Sequence, residues 1–190
     1  SYSCKIISEI EFAYNYCKSD IICITGSNGK TTTATLTHKI ISEADFTCSI
    51  SGNIGKSFSS VCENEVDYSI VEISSFQLDG IDSFKPHIAV LTAITPDHLD
   101  RYKNFDSYVE SKFRITKNQT DKDYLIYDAD CSIINNYIKS NKIKSRLLPY
   151  SLKKKVHMGA YYSKNEINII TDKNKINMPT ENFLVKGNHN

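Results

Sequence analysis

Residues 21–37, IICITGSNGKTTTATLT, set a short run of β-branched residues directly before Gly26, Ser27, Asn28 and Gly29, and then a lysine and five threonines. Residues 21–25 read as a short buried strand. The segment from 30 to about 44 reads as a helix on which Ala34, Thr37, Ile40 and Ile41 share one face. Threonine is a mediocre helix former because its branched Cβ restricts χ1, so propensity alone does not account for this turn. A strand, a tight glycine turn and a lysine–threonine helix start are the parts of a phosphate cradle. Glycines let the backbone wrap an anion, the helix amino end presents unpaired N–H groups, Lys30 brings positive charge, and Thr31 offers a hydroxyl to magnesium. A bound triphosphate offsets the weak propensity of the threonines. In the general G-x-x-x-x-G-K-[ST] pattern the first glycine would fall at position 24, which is isoleucine, so the loop is a variant. Taken alone, it also fits an ordinary turn.

The rest of the chain alternates helix and strand. Ser8 and Glu11 have capping-box spacing, and Ile10, Ala13 and Cys17 keep one face apolar, so a helix is expected over about 9–18. Strands are expected at 46–50, 68–73 and 88–94, and a helix at 106–117. Buried strands without polar alternation, separated by helices, indicate an α/β fold: a mostly parallel P-loop-type sheet with helices on both faces. Such sheets bind ligands at their carboxyl ends. The α/β core is expected to occupy 1–142. Beyond it, "RLLPYSL", "GAYYSK", "EINIIT" and "KINMP" read as a small β-rich extension over 143–185.

Composition narrows the function classes. With 40% hydrophobic and 24% charged residues, 190 residues can bury one sizeable core. The 23 basic and 22 acidic residues nearly cancel, which gives no argument for nucleic acid or a membrane surface as partner. Lys153, Lys154 and Lys155 read as a solvated loop. The apolar runs are too short to cross a membrane and the first twenty residues lack the order of a signal peptide, so the cytoplasm is the expected compartment. Six cysteines without a C-x-x-C pair read as reduced and structural, and five scattered histidines argue against structural zinc.

Four further stretches are weak one at a time. "GNIG" at 52–55 fits a β-turn. Glu72 in "YSIVEISSFQL" fits a solvent-facing carboxylate, "TPDHLDRY" at 95–102 a proline turn with Asp97 as helix cap, and Lys112 a surface lysine. Glu72 and residues 95–98 nevertheless follow strands, so they fall at the same sheet edge as the glycine loop. Chance explains that convergence poorly.

The ordered set T-G-S-N-G-K-T-T, G-N-I-G, V-E-I-S-S-F-Q-L, T-P-D-H-L-D-R-Y, Y-x-x-x-K and K-G-N-H-N resembles the central ATPase domain of the Mur ligases of peptidoglycan synthesis, across nearly the whole chain. In that family the loop reads T-G-x-N-G-K-[ST]-T, so the missing first glycine is no defect. "SSFQL" with "DHLDRY" is most similar to the branch that adds D-glutamate to UDP-N-acetylmuramoyl-L-alanine. The resemblance implies that Gly26, Ser27, Asn28, Gly29, Lys30, Thr31 and Thr32 hold the ATP phosphates, with Lys30 on the β and γ groups. It implies Thr31 and Glu72 as ligands of a first magnesium, and His98 with a carbamylated Lys112 for a second, at a spacing one residue shorter than the family's. Asn53 would lie beside the γ-phosphate and the substrate carboxylate, with Ser74 and Gln77 nearby. His189 and Asn190 would meet the nucleotide base, with 186–190 opening the next helix. Lys30, Asn53, His98 and Lys112 are thus the implied catalytic set. The implied chemistry is an acyl phosphate made from ATP and then displaced by the amine of D-glutamate.

The family has three domains, and this chain matches the middle one. The UDP-binding and C-terminal domains are expected to lie outside it, and the 190 residues alone are not expected to ligate. A monomer without nucleic-acid or membrane partner is expected. Three other readings remain: a folylpolyglutamate synthetase-like or other Mur ligase, a non-catalytic nucleotide-binding module, and a GTP switch suggested by "TKNQ" at 116–119. The last is discounted because that motif ends a helix rather than following a strand.

Overall fold

The apolar run at 20–25 becomes the axis of a nine-stranded sheet. The computed structural model describes residues 4–96 and 101–180. Strand β1 (Asp20–Thr25) runs parallel between β3 (Tyr68–Glu72) and β4 (Ile88–Leu91). Outside β3 lies β2 (Cys48–Gly52). Outside β4 follow β5 (Tyr124–Asp128), β6 (Arg146–Ser151), β7 (Gly159–Ser163), β8 (Glu166–Ile170) and β9 (Lys175–Pro179). Pairing is parallel from β2 across to β7, and antiparallel between β7 and β8 and between β8 and β9. The chain leaves β1 towards β2 and β3 on one side, then crosses to β4 on the other. The carboxyl end of β1 therefore opens at a topological switch point, where such sheets hold ligands.

Helices cover both faces, unequally. On one face Cys23, Val71, Leu91 and Leu125 form a core with α1 (Glu9–Tyr14), α3 (Ser75–Asp79), α4 (Phe105–Phe113) and α5 (Ser132–Ser140), through Ile10, Leu78, Tyr108, Phe113 and Ile134. On the other face Ile22, Ile24, Ile70 and Val90 pack with α2 (Lys30–Glu43) through Ala34 and Ile41. Ile40, expected on the buried face of α2, is 57% exposed. Among the described residues no helix is long and apolar enough to cross a membrane.

Several expected boundaries move, each for a local polar reason. Helix α1 stops at Tyr14 rather than near 18, because the Asn15 amide turns back to bond the Glu11 carbonyl at 3.0 Å and competes with the next turn. Strand β2 starts at Cys48, not 46: Thr47 commits its N–H and hydroxyl to Asp67, at 2.8 and 2.7 Å, and Phe46 is exposed. Strand β4 ends at Leu91 rather than 94, since Thr92 turns its hydroxyl to the glycine loop. Helix α4 ends at Phe113 and tightens into a 3-10 turn over Arg114–Thr116, where the Arg114 guanidinium donates to the carbonyls of Leu78 and Ile81. Residues 146–151, read above with the β-rich extension, form a strand of the parallel sheet.

The capping box at Ser8 is half-formed. Ser8 Oγ accepts the Glu11 N–H at 3.3 Å, but the Glu11 carboxylate turns away and accepts the N–H groups of Asp82 and Phe84 at 2.9 Å, that of Ser83 at 2.8 Å, and the Ser83 hydroxyl. Burial pushes this carboxyl up, the hydrogen bonds pull it down, and they win: its pKa lies below the usual value. The stabilisation is therefore complete at neutral pH and lost as pH falls through the folded-state value. Glu11→Gln is expected to cost about 2 kcal/mol at pH 7, with the deficit shrinking below about pH 4, as read by urea denaturation at the two pH values.

Candidate nucleotide and cation site

Beyond Thr25 the backbone turns through Gly26 and Gly29, at φ of 151° and 82°. Gly29 caps α2 in the left-handed region without a side-chain bond, leaving first-turn N–H groups for an outside acceptor. The loop is clamped from behind. Ser27 N–H donates to the Ala93 carbonyl at 2.9 Å. Ser27 Oγ accepts the Thr95 N–H and donates to the Thr95 carbonyl, both at 3.0 Å, and the Tyr108 hydroxyl lies 2.9 Å away. The Asn28 amide reaches Thr95 Oγ1 at 3.4 Å.

Two ammonium groups meet at this loop. Lys30 Nζ donates to the carbonyls of Gly26 and Ser27, each at 3.0 Å. Lys112, on α4 and only 2% exposed, donates to the same Gly26 carbonyl at 2.9 Å and lies over the Tyr108 ring. Both lysines thus hold the loop backbone through the Gly26 carbonyl, and Lys30, at the first turn of α2, stands where it can meet a polyphosphate.

Opposite them stands Glu72, the last residue of β3 and 2% exposed. Its Oε2 accepts the Thr31 hydroxyl at 2.7 Å and its Oε1 the Asn53 amide at 3.0 Å. The turn after β2 is docked by Asn53 N–H on the Glu72 carbonyl at 2.8 Å. Both carboxylate oxygens are thus held by neutral donors, and among the described residues no cation forms an ion pair with Glu72. A buried carboxylate in that state fits a hard divalent cation, with the Thr31 hydroxyl as neighbouring ligand. Among the described residues no three His, Cys, Asp or Glu side chains gather into a metal cluster, so the remaining ligands of such an ion would come from a bound phosphate or water.

Of the other residues singled out in the sequence, Thr32 lies exposed on the first turn of α2. Ser74 and Gln77 stand at the start of α3 and satisfy each other: Ser74 Oγ accepts the Gln77 N–H at 3.3 Å, and Gln77 Oε1 accepts the Ser74 N–H and hydroxyl at 2.9 Å. His98, His189 and Asn190 lie outside the described residues. Two contributors went unassigned in the sequence. Tyr108 shares a helix face with Lys112 four residues on, a spacing that signals it. Thr92 sits in an apolar run and carries no such signal.

The family model for the Mur ligase middle domain matches residues 24–190. UDP-N-acetylmuramoylalanine--D-glutamate ligase of Christiangramia forsetii is 46% identical over 188 residues, covering 98% of this chain and 42% of that protein. The chain thus spans about two fifths of the length of this curated relative. The solved MurF ligase of Thermotoga maritima in complex with ADP superposes with a TM-score of 0.60 at 15% identity, over 84% of this chain and 39% of that one. E. coli FolC in complex with DHPP and ADP gives 0.60 at 13% identity, over 93% and 53%. The two structures carry the same fold, and with the family model and the 46% relative they identify this chain as a member of the Mur ligase family, matching its middle domain.

Proposed function

We propose that these 190 residues are the ATP-binding domain of a ligase that adds D-glutamate to UDP-N-acetylmuramoyl-L-alanine. The observation that carries this reading is the convergence of Thr31, Asn53 and Glu72 on one edge of the glycine loop, with Lys30 and Lys112 on the other. The 46% identity to a D-glutamate ligase supports the choice of substrates.

In the proposed reaction the substrate carboxylate attacks the γ-phosphorus of ATP, the bond to the β-phosphate oxygen breaks, and ADP leaves. The amine of D-glutamate then attacks the acyl carbon, loses a proton and expels phosphate. Lys30 leaves the loop carbonyls and takes the β and γ charges, while the first-turn N–H groups of α2 hold the phosphate oxygens. Thr31 and Glu72 would hold a magnesium ion, which would supply neutralisation of phosphate charge. Asn53, whose Nδ2 donates one hydrogen to Glu72, would offer its second to the transferring group. Ser74 and Gln77 exchange their mutual bonds for the substrate. Lys112, were its neutral amine to take up carbon dioxide and lose a proton, would be an anionic carbamate, and with His98 it would hold a second magnesium. His189 and Asn190 are proposed at the base. The compartment proposed is the cytoplasm and the unit a monomer, with neither nucleic acid nor membrane as partner; near-neutral net charge supports the last two.

The test is incubation of the full-length protein with magnesium, ATP, UDP-N-acetylmuramoyl-L-alanine and D-glutamate. The amide product with one ADP and one phosphate is expected, and Lys30→Ala is expected to reduce its rate at least about a hundredfold. A folate substrate accepted in place of the UDP-sugar would move the protein to the folylpolyglutamate branch. The 190-residue chain alone is expected to yield no amide, because ligation requires the amine held in line and water kept out by the rest of the protein.

A further inference from the structure

We infer that the hydroxyl of Thr92 is a positioning group of the phosphate loop, presetting the N–H of Gly29 as an anion donor. The inference deepens the nucleotide reading above and rests on it. Thr92 follows the last residue of β4 and is 7% exposed. Its N–H donates to the Thr25 carbonyl at 2.9 Å, and its Oγ1 lies 2.7 Å from the Asn28 carbonyl and 3.2 Å from that of Thr25. A hydroxyl has one proton to give, and the Thr25 carbonyl already accepts a backbone N–H. The shorter contact, to Asn28, is the donor bond.

The consequence follows from the planarity of the trans peptide, in which C=O and N–H of one unit point in opposite directions. With the Asn28 C=O drawn back onto Thr92, the Gly29 N–H of the same unit points out of the loop, towards the side where an anion is received. The other loop carbonyls are held too: Gly26 by Lys30 and Lys112, Ser27 by Lys30, and Gly29 by the Thr33 N–H at 2.9 Å. Lys30 is drawn to phosphate when phosphate arrives. An uncharged threonine is not, so its bond persists in the loaded loop. The fit is also steric: a Cβ on Gly26 would fall 1.7 Å from Thr92 Oγ1, so the bare glycine makes room for this hydroxyl.

The experiment compares Thr92→Val, which keeps the shape and removes the hydroxyl, with Thr92→Ser, which keeps the hydroxyl, in the full-length protein. Affinities for Mg-ATP and for inorganic tripolyphosphate are read by calorimetry, and the Gly29 amide proton by NMR. Thr92→Val is expected to bind both ligands about tenfold more weakly, and Thr92→Ser to stay within about twofold of wild type. The Gly29 amide should shift downfield with tripolyphosphate in wild type and Thr92→Ser but not in Thr92→Val. A purely structural role would lower the melting temperature and leave that shift in place. Unchanged affinity or a retained Gly29 shift in Thr92→Val overturns the inference, and Thr92→Ala gives the same reading should valine disturb the fold. Wild type binding neither ligand would overturn the nucleotide reading itself.

Discussion

Glu72→Gln is expected to lower the ligation rate of the full-length protein by about a thousandfold, the size of effect seen when a group that stabilises transition-state charge is removed. Glutamine keeps the volume and an acceptor for one partner, so Thr31 and Asn53 stay close and the sheet edge keeps its shape. What disappears is the negative charge, the feature on which the proposed cation site rests. The magnesium concentration needed for half-maximal rate should therefore rise along with the loss of kcat. A Glu72 that served only to dock Asn53 would leave the magnesium dependence where it was. Steady-state ADP release across a magnesium titration separates the two outcomes.

Gly52→Ala is the second change with a large expected effect, and it acts through backbone. Gly52 sits at φ of 100°, and an added Cβ would fall 2.2 Å from the Glu72 carbonyl oxygen. That oxygen accepts the Asn53 N–H, so the end of β2 cannot move aside without releasing the turn that aims Asn53. Strain at positive φ and overpacking against backbone together are expected to cost about 3 kcal/mol. The rate should fall more than tenfold even where the protein remains folded, because Asn53 leaves Glu72. Denaturant unfolding and the ligation assay, run on the same preparation, check both halves. A variant as stable and active as wild type would show that the approach of β2 to β3 is looser than described.

Much of this was legible in the sequence where a residue's chemistry and its neighbours agree. The strand, the glycine turn and the threonine-rich helix at 21–43 announce themselves by composition; Glu72 does not, since at the end of its strand it fits a solvent-facing carboxylate, and only its sheet edge, shared with the glycine loop, and the family resemblance single it out. The boundaries of the other elements were not legible, because each is set by a side chain captured at long range. Thr47 meets Asp67, Arg114 meets carbonyls at and just beyond the end of α3, and Glu11 leaves its own helix for the loop at 82–84. Thr92 was hidden for the same reason. Its partner is 64 residues away, and in the run AVLTAIT nothing distinguishes it from a strand threonine. The placement of 146–151 in the parallel sheet rests on the ladder with β5, which short β-type pieces do not declare.

Helix α2 has one fully buried side chain, Ala34, and is the helix that packs with the second core cluster. Its amino end is also the proposed phosphate cradle. A ligand that binds only the folded loop, at free concentration L, stabilises the folded state by RT ln(1 + L/Kd), a contribution that grows with the logarithm of L once L exceeds Kd. Here that energy would be delivered to a helix whose hold on the sheet rests on Ala34 and the partly buried Ile41. A nucleotide bound there would in this sense be a removable part of the architecture, firming α2 over its sheet face while the loop is filled. Each release would return that side of the domain to the stability its own side chains provide.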